Sequence, residues 1–164
     1  MLGQINRRRL LLALPAIALA LLGLWFGLTG FSLSALDEPG RVETYLATKA
    51  KRPLVGRSAR GSSPTPPPTD AAAAIKGQML FVGRCSACHG IDGRTPTEIG
   101  RWLYPRASDL GSPRVQEWSD RELFWIIQNG IRLTGMPGFG KLHSDEDIWA
   151  LARYVRSLGA QPQE

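Results

Sequence analysis

The segment GRCSACHG, Gly83 to Gly90, places both cysteines of this 164-residue chain and one of its two histidines within five consecutive positions. On a helical turn, residues three positions apart project from one face, so Cys85 and Cys88 would present two thiols side by side. His89 follows immediately. Such a cluster is compatible with a disulfide, a metal site, a redox-active dithiol or a covalently held group, and each alternative requires a different fold around it.

The surrounding sequence separates these alternatives. A dithiol of thioredoxin type requires a βαβ unit, and no alternating strand pattern is present. A structural zinc ion takes four ligands, so His143 would have to complete the set from a distant position. The pattern CSACH is that of covalent haem attachment, in which two thiols bond one porphyrin edge. We therefore expect one haem c, held by Cys85 and Cys88, with His89 as the proximal iron ligand.

An uncharged run of 27 residues, Leu10 to Leu36, follows three arginines, Arg7 to Arg9. About 20 apolar residues are enough to span a bilayer, and basic residues favour the cytoplasmic side. We predict a short cytoplasmic segment over 1–9 and an uncleaved transmembrane anchor over 10–36. The alternative is a cleaved signal peptide, which has a shorter apolar core. Either arrangement exports the C-terminal part, so we expect an inner-membrane protein with a periplasmic haem domain.

The composition changes between residues 37 and 70, where Lys, Arg, Ser, Thr, Gly and Pro predominate and large apolar residues are few. Such a segment buries too little apolar surface to offset its ordering entropy. We predict a flexible linker over 37–70, with a short polyproline rod near its end. The five basic residues between Lys49 and Arg60 are solvated in this interpretation. Contact with anionic lipid or an acidic partner is the alternative.

The remaining segment, 71–164, predicts a small all-α domain. An Ala-rich apolar pattern leads into the cysteines, and Ser119 begins a capping-box pattern for a helix that stops at Gly130. A third helix follows Ser144, with acids in its first turn and an apolar stripe, and it ends at Gly159. We expect three to five helices joined by loops rich in glycine and proline.

Three stretches together resemble a class I cytochrome c of the small, single-haem, membrane-anchored bacterial type: CSACHGIDG, the distant TGMPGFG and the C-terminal IWALARYVRSL. The resemblance covers residues 71 to 160. It implies the small cytochrome c fold around one haem. In that fold the helix that enters the haem motif crosses the C-terminal helix, so Gly77 and Phe81 are expected to meet Tyr154.

The iron of such a domain needs a second axial ligand, and methionine opposite histidine is a known pair. Met136 lies in TGMPGFG, where Pro137 favours an extended backbone and the glycines allow close approach to a flat porphyrin. We predict Met136 as the distal ligand, with His143 as the alternative. Met79 lies on the helix that carries the cysteines and is predicted to be a core residue.

Two further expectations concern groups around the haem. The second ring nitrogen of His89 should donate a hydrogen bond to a carbonyl of residues 103–113. Which carbonyl serves is open, because Ser108 stands where related proteins often have proline. Haem carboxylates that are partly buried need cationic or hydrogen-bonding partners, and Arg106 and Trp102 are the candidates.

With both axial positions filled, the iron exchanges electrons with little rearrangement, and no position is left for a substrate. We therefore predict an electron carrier rather than an enzyme, linking a quinol-oxidising complex or dehydrogenase to a terminal oxidase or reductase. The alternatives are a haem-bearing accessory subunit of a larger respiratory complex, and a haem catalyst or gas sensor with an open sixth position. The net charge of +6 comes mostly from residues before 71, without a basic aromatic face, so no nucleic-acid binding is expected.

Overall fold

The computed structural model describes residues 7–28, 34, 37–67 and 71–160, and within these ranges it is helical without strands. The predicted all-α class is confirmed for them. They divide into two compact units, Met1–Asp37 and Glu38–Glu164. The helices are α1 (Arg7–Leu28), α2 (Arg41–Ser62), α3 (Ala71–Arg84), α4 (Ser86–His89), α5 (Glu98–Trp102), α6 (Pro113–Gln116), α7 (Asp120–Asn129) and α8 (Asp145–Gly159).

The first unit contains α1, whose side chains are exposed over residues 11–27. Among the residues that the structure describes, no helix is both long and apolar enough to cross a membrane. The transmembrane anchor predicted over 10–36 is therefore not confirmed. Residues 29–33, 35 and 36 of that prediction lie outside the described residues, as does most of the predicted cytoplasmic segment.

The second unit is organised around the crossing of α3 and α8. Gly77 on α3 lies so close to α8 that a Cβ atom there would be 2.0 Å from the carbonyl oxygen of Ala150. Glycine permits this approach because it has no side chain. One turn later, the rings of Phe81 and Tyr154 meet with their centroids 5.0 Å apart. The crossing implied by the family resemblance is confirmed, including the three residues named for it.

The opposite face of α3 stays exposed. Ile75, Met79 and Val82 follow one another at helical spacing and are all exposed, Met79 by 66%. Met79 is two residues from Gly77, and a separation of two turns a side chain to the other side of a helix. The prediction of Met79 as a core residue is therefore wrong.

α7 completes the core by packing against α8. Ser119 and Ser144 begin these two helices as the first residues of capping boxes, as the sequence predicts. Phe124 of α7 contacts Trp149 of α8, with ring centroids 4.6 Å apart. α7 ends at Asn129, and Gly130 directly after it has a φ of 68°, which favours glycine. The ends of both helices are thus set by local residues and their contact by buried aromatic rings.

The segment 37–70 differs from its prediction as a flexible linker, because Arg41–Ser62 is helical and packs along α7. Val55, Gly56 and Ala59 are buried and share one stripe of α2. The small residues allow the two helices to approach closely. Ordering this segment costs conformational entropy, which is why a flexible linker was predicted. Burial of the stripe against α7 offsets that cost. α2 is therefore part of the same compact unit as the helices that follow it.

Gly77→Ala tests the close contact of α3 with α8. We expect the haem-loaded variant to lose about 1–3 kcal/mol in free energy of unfolding, because the added methyl overpacks the crossing. Gly83→Ala is the matched control on the same helix, since a Cβ atom there meets nothing within 4 Å. Its stability should stay level or rise by about 0.5–1 kcal/mol from helix propensity. Urea unfolding curves that coincide for the two variants would contradict the crossing.

Candidate functional site

The three residues of the motif lie where α3 passes into the short helix α4. The backbone N–H of Cys85 donates to the Phe81 carbonyl at 2.8 Å, and that of His89 donates to the Cys85 carbonyl at 2.9 Å. The helical path therefore continues through the motif and keeps Cys85 and Cys88 on one face. Both cysteines are free and partly buried, so they are not bonded to each other.

Burial keeps the thiol of Cys85 protonated. It raises the pKa of this thiol to about 11, and the neighbouring Cys88 acts in the same direction. Redox-active dithiols and metal-binding thiolates have pKa values that are shifted downward by cationic surroundings. The surroundings of Cys85 are therefore apolar rather than cationic, unlike those of a redox-active dithiol.

His89 is oriented by a hydrogen bond to the loop between α5 and α6. Its Nδ1 lies 2.9 Å from the carbonyl oxygen of Ser108, and Nδ1 carries the proton because a carbonyl can only accept. Nε2 is then the unprotonated nitrogen that can bind a metal. Burial lowers the pKa of the ring, opposed in part by the carbonyl, so the imidazole is held neutral. The prediction of a carbonyl from residues 103–113 is confirmed.

Thr97, just before α5, forms hydrogen bonds to the backbone of the motif. It was not identified from the sequence. Its N–H donates to the Cys88 carbonyl at 3.1 Å, and its hydroxyl donates to the Ala87 carbonyl at 2.6 Å. The same hydroxyl accepts from the N–H of Gly100 at 3.1 Å and caps α5. Carbonyls that the one-turn helix α4 leaves unpaired are satisfied in this way.

The opposite wall of the site comes from the loop that follows α7. The N–H of Phe139 donates to the Ile127 carbonyl at 3.0 Å, so the loop folds back along α7. A Cβ atom at Gly138 would lie 2.6 Å from the backbone of Asn129, so glycine at this position allows the loop to pack closely on α7. Met136 lies in the middle of the loop, partly buried against the core.

A cleft brings the motif and the loop together. Cys85, Cys88, His89 and Met136 all line it, and it encloses about 1030 Å³ of non-protein space, part of it open to solvent. The rest of its lining is mainly apolar and includes Phe81, Leu103, Leu110, Ile127, Ile131, Phe139, Leu151 and Val155. Its charged lining residues are Lys51, Arg84 and Arg106.

These residues fit a covalently attached haem. Two thiols, a neutral imidazole and a thioether line one cleft whose other walls are mainly apolar, as in cofactor sites. Cationic side chains at the rim suit the haem carboxylates. Arg106, one of the predicted carboxylate partners, lines the cleft and also pairs with Glu38 at 2.6 Å between Nη2 and Oε1.

Two predicted site residues lie elsewhere. Trp102 is 64% exposed and is not among the lining residues of the cleft. His143 precedes Ser144, the capping residue of α8. Its Nδ1 lies 3.9 Å from an Asp147 carboxylate oxygen, and it does not line the cleft either. Of the two candidate distal ligands, Met136 is the one that shares a cavity with His89.

Comparison with known proteins places this site in a family. A family described as cytochrome c oxidase, cbb3-type, subunit III matches residues 72–155. CcoP of Azospirillum brasilense, a cbb3-type cytochrome c oxidase subunit, is 31% identical over 147 residues, which cover 81% of this chain and 40% of CcoP. The corresponding subunit FixP of Azorhizobium caulinodans is 33% identical over 99 residues, covering 56% of this chain and 29% of FixP. The chain thus spans less than half the length of these relatives.

Two solved structures are also similar. The c-type cytochrome KustC0563 is 29% identical with a TM-score of 0.44, covering 50% of this chain and 95% of that one. A chain of the reducing HAO-like protein complex Kustc0457/Kustc0458 of Kuenenia stuttgartiensis is 22% identical with a TM-score of 0.49, covering 59% of this chain and 48% of that one.

Proposed function

The chain belongs to the family of cbb3-type cytochrome c oxidase subunit III, and on that premise we propose that it is the electron-transfer subunit of a respiratory oxidase. Membership of this c-type cytochrome family implies that haem c is attached covalently. Of the functions considered from the sequence, a haem-bearing subunit of a larger complex is supported better than a carrier that moves between partners.

One observation carries the proposal: the two thiols, the imidazole and the thioether line a single apolar cleft. When bound there, the haem supplies an iron that takes up and releases one electron. Cys85 and Cys88 would hold the haem covalently, and His89 and Met136 would be the ligands of its iron. The Ser108 carbonyl keeps Nε2 of His89 unprotonated for this role.

The surroundings of these ligands suit electron transfer more than catalysis. Met136 would fill the iron position that an oxygen-binding or substrate-binding haem keeps open. The apolar lining would limit the entry of water to the cleft. Little solvent would then have to rearrange when the iron gains or loses an electron. The chain would therefore pass electrons to the oxygen-reducing part of an oxidase without binding oxygen itself.

Met136→Ala tests the distal ligand. We expect the oxidised variant to lose the far-red sulfur-to-iron absorption band and its reduction potential to fall, because methionine ligation raises the potential. Met79→Ala is the matched control, since Met79 is exposed on α3 and does not line the cleft. It should keep both properties. Retention of the far-red band in Met136→Ala, or its absence from the unaltered oxidised protein, would show that Met136 does not bind the iron.

Purification from membranes tests the place of the chain in a complex. An affinity-tagged chain should copurify in constant stoichiometry with a haem-containing oxidase that reduces oxygen, after mild detergent extraction. The His89→Ala variant should assemble but fail to be reduced on the physiological time scale. Recovery of the tagged chain alone, in haem-loaded form and under the same conditions, would favour a carrier that is not fixed in a complex.

We also propose that the N-terminal segment anchors the chain at the inner membrane, with the haem domain on the periplasmic side. The support is the uncharged run over 10–36 behind three arginines, together with the exposed leucines of α1. The full-length chain should resist alkaline carbonate extraction from membranes, and a chain that starts at residue 37 should be released. Release of both chains, or protease protection of the haem domain in spheroplasts, would contradict the placement.

A further inference from the structure

Helix α2 contributes a cation to the haem cleft from outside the part of the chain that matches the family. Lys51 lines the cleft, although the family match begins at residue 72. α2 is held in place by its buried stripe and by Arg52, whose guanidinium lies 4.8 Å from the centre of the Trp118 ring and pairs with Glu117. Lys51 is therefore held at the cleft by a docked helix.

Lys51 has no compensating charge among the described residues. Burial lowers the pKa of its ammonium, and Arg114 and Arg52 lower it further by repulsion. The ion pairs found within the described ranges do not include Lys51. A half-buried cation beside other cations is unfavourable unless an anion joins it.

Acids that contact α2 or the rim of the cleft are already engaged. Glu122, whose Oε1 lies beside Gly56 of α2, accepts a hydrogen bond from the Ser119 N–H at the start of α7. Glu117 pairs with Arg52, and Glu38 pairs with Arg106. Glu43 accepts the hydroxyl proton of Tyr104 in a hydrogen bond. The occupant of the cleft can supply the anion instead, because the porphyrin of haem c carries two carboxylates that are ionised at neutral pH.

We propose that Lys51 binds a carboxylate of the haem, so that α2 is a built-in part of the cofactor site. The proposal rests on the haem c of the family and on the docking of α2, and it goes beyond the function proposed above. Charge-assisted hydrogen bonds between ammonium and carboxylate groups are among the stronger polar contacts in proteins. α2 then acts as a positioning element that sets the electrostatic surroundings of the iron.

This pairing has a direct consequence for the iron. A carboxylate without a cation stabilises the more positive, oxidised iron, whereas a paired carboxylate does so less. Removal of the Lys51 charge should therefore lower the reduction potential. Because the pair is partly shielded from solvent, the shift should persist at about 1 M salt, where the interactions of exposed charges are screened over about 3 Å.

The experiment compares the reduction potentials of full-length, haem-loaded Lys51→Gln, Lys51→Arg and Lys49→Gln. Lys49 is the matched control on α2, because its ammonium lies 5.5 Å from the centre of the Tyr45 ring and does not line the cleft. We expect a lower potential in Lys51→Gln at low and high salt. Lys51→Arg, which keeps the charge, and Lys49→Gln should match the unaltered chain.

Three results would overturn the proposal. One is a Lys51→Gln potential equal to that of Lys49→Gln, and another is a decrease that Lys51→Arg shares, since that would report altered packing of α2. The third is a decrease that disappears at high salt. Failure of the proposed function would look different, because the tagged, haem-loaded chain would then be recovered without an oxidase, whatever the behaviour of Lys51.

Discussion

The crossing of α3 and α8 is the contact on which the rest of the haem-binding unit depends. Its closest point is Gly77 against Ala150, and α3 leads from there into Cys85. α8 contributes Leu151 and Val155 to the cleft and packs against α7, which carries the Met136 loop at its end. A shift of α3 along α8 would therefore move the thiols and the imidazole relative to the thioether. One close helix contact sets the distance between the two walls of the site.

Features with local causes could be predicted from the sequence. The capping boxes at Ser119 and Ser144 and the stop at Gly130 each depend on a few neighbouring residues, and all three are found as expected. The haem motif is local in the same sense. Met136 is different, because spacing alone does not place a loop across a cavity from His89. That prediction depended on family resemblance, and the structure brings both residues to one cleft.

Features that depend on distant partners could not be predicted. Pro53 lowers the helix propensity of α2, and the stripe around Val55 is buried because α7 lies beside it. The Ser108 carbonyl has no signal in the sequence, because every residue carries a carbonyl. Thr97 has one in hindsight, since threonine before glutamate is a common helix start. Lys51 reaches the cleft because α2 packs on α7. Its place there could not be predicted without that packing.

His89 and Met136 are the proposed ligands of the haem iron, and the iron itself can report its ligands. X-ray absorption at the iron edge of the purified full-length protein would measure them without any substitution. The account predicts a six-coordinate iron with one sulfur and five nitrogen neighbours in both oxidation states. Six nitrogen neighbours, or a five-coordinate iron without sulfur, would contradict it.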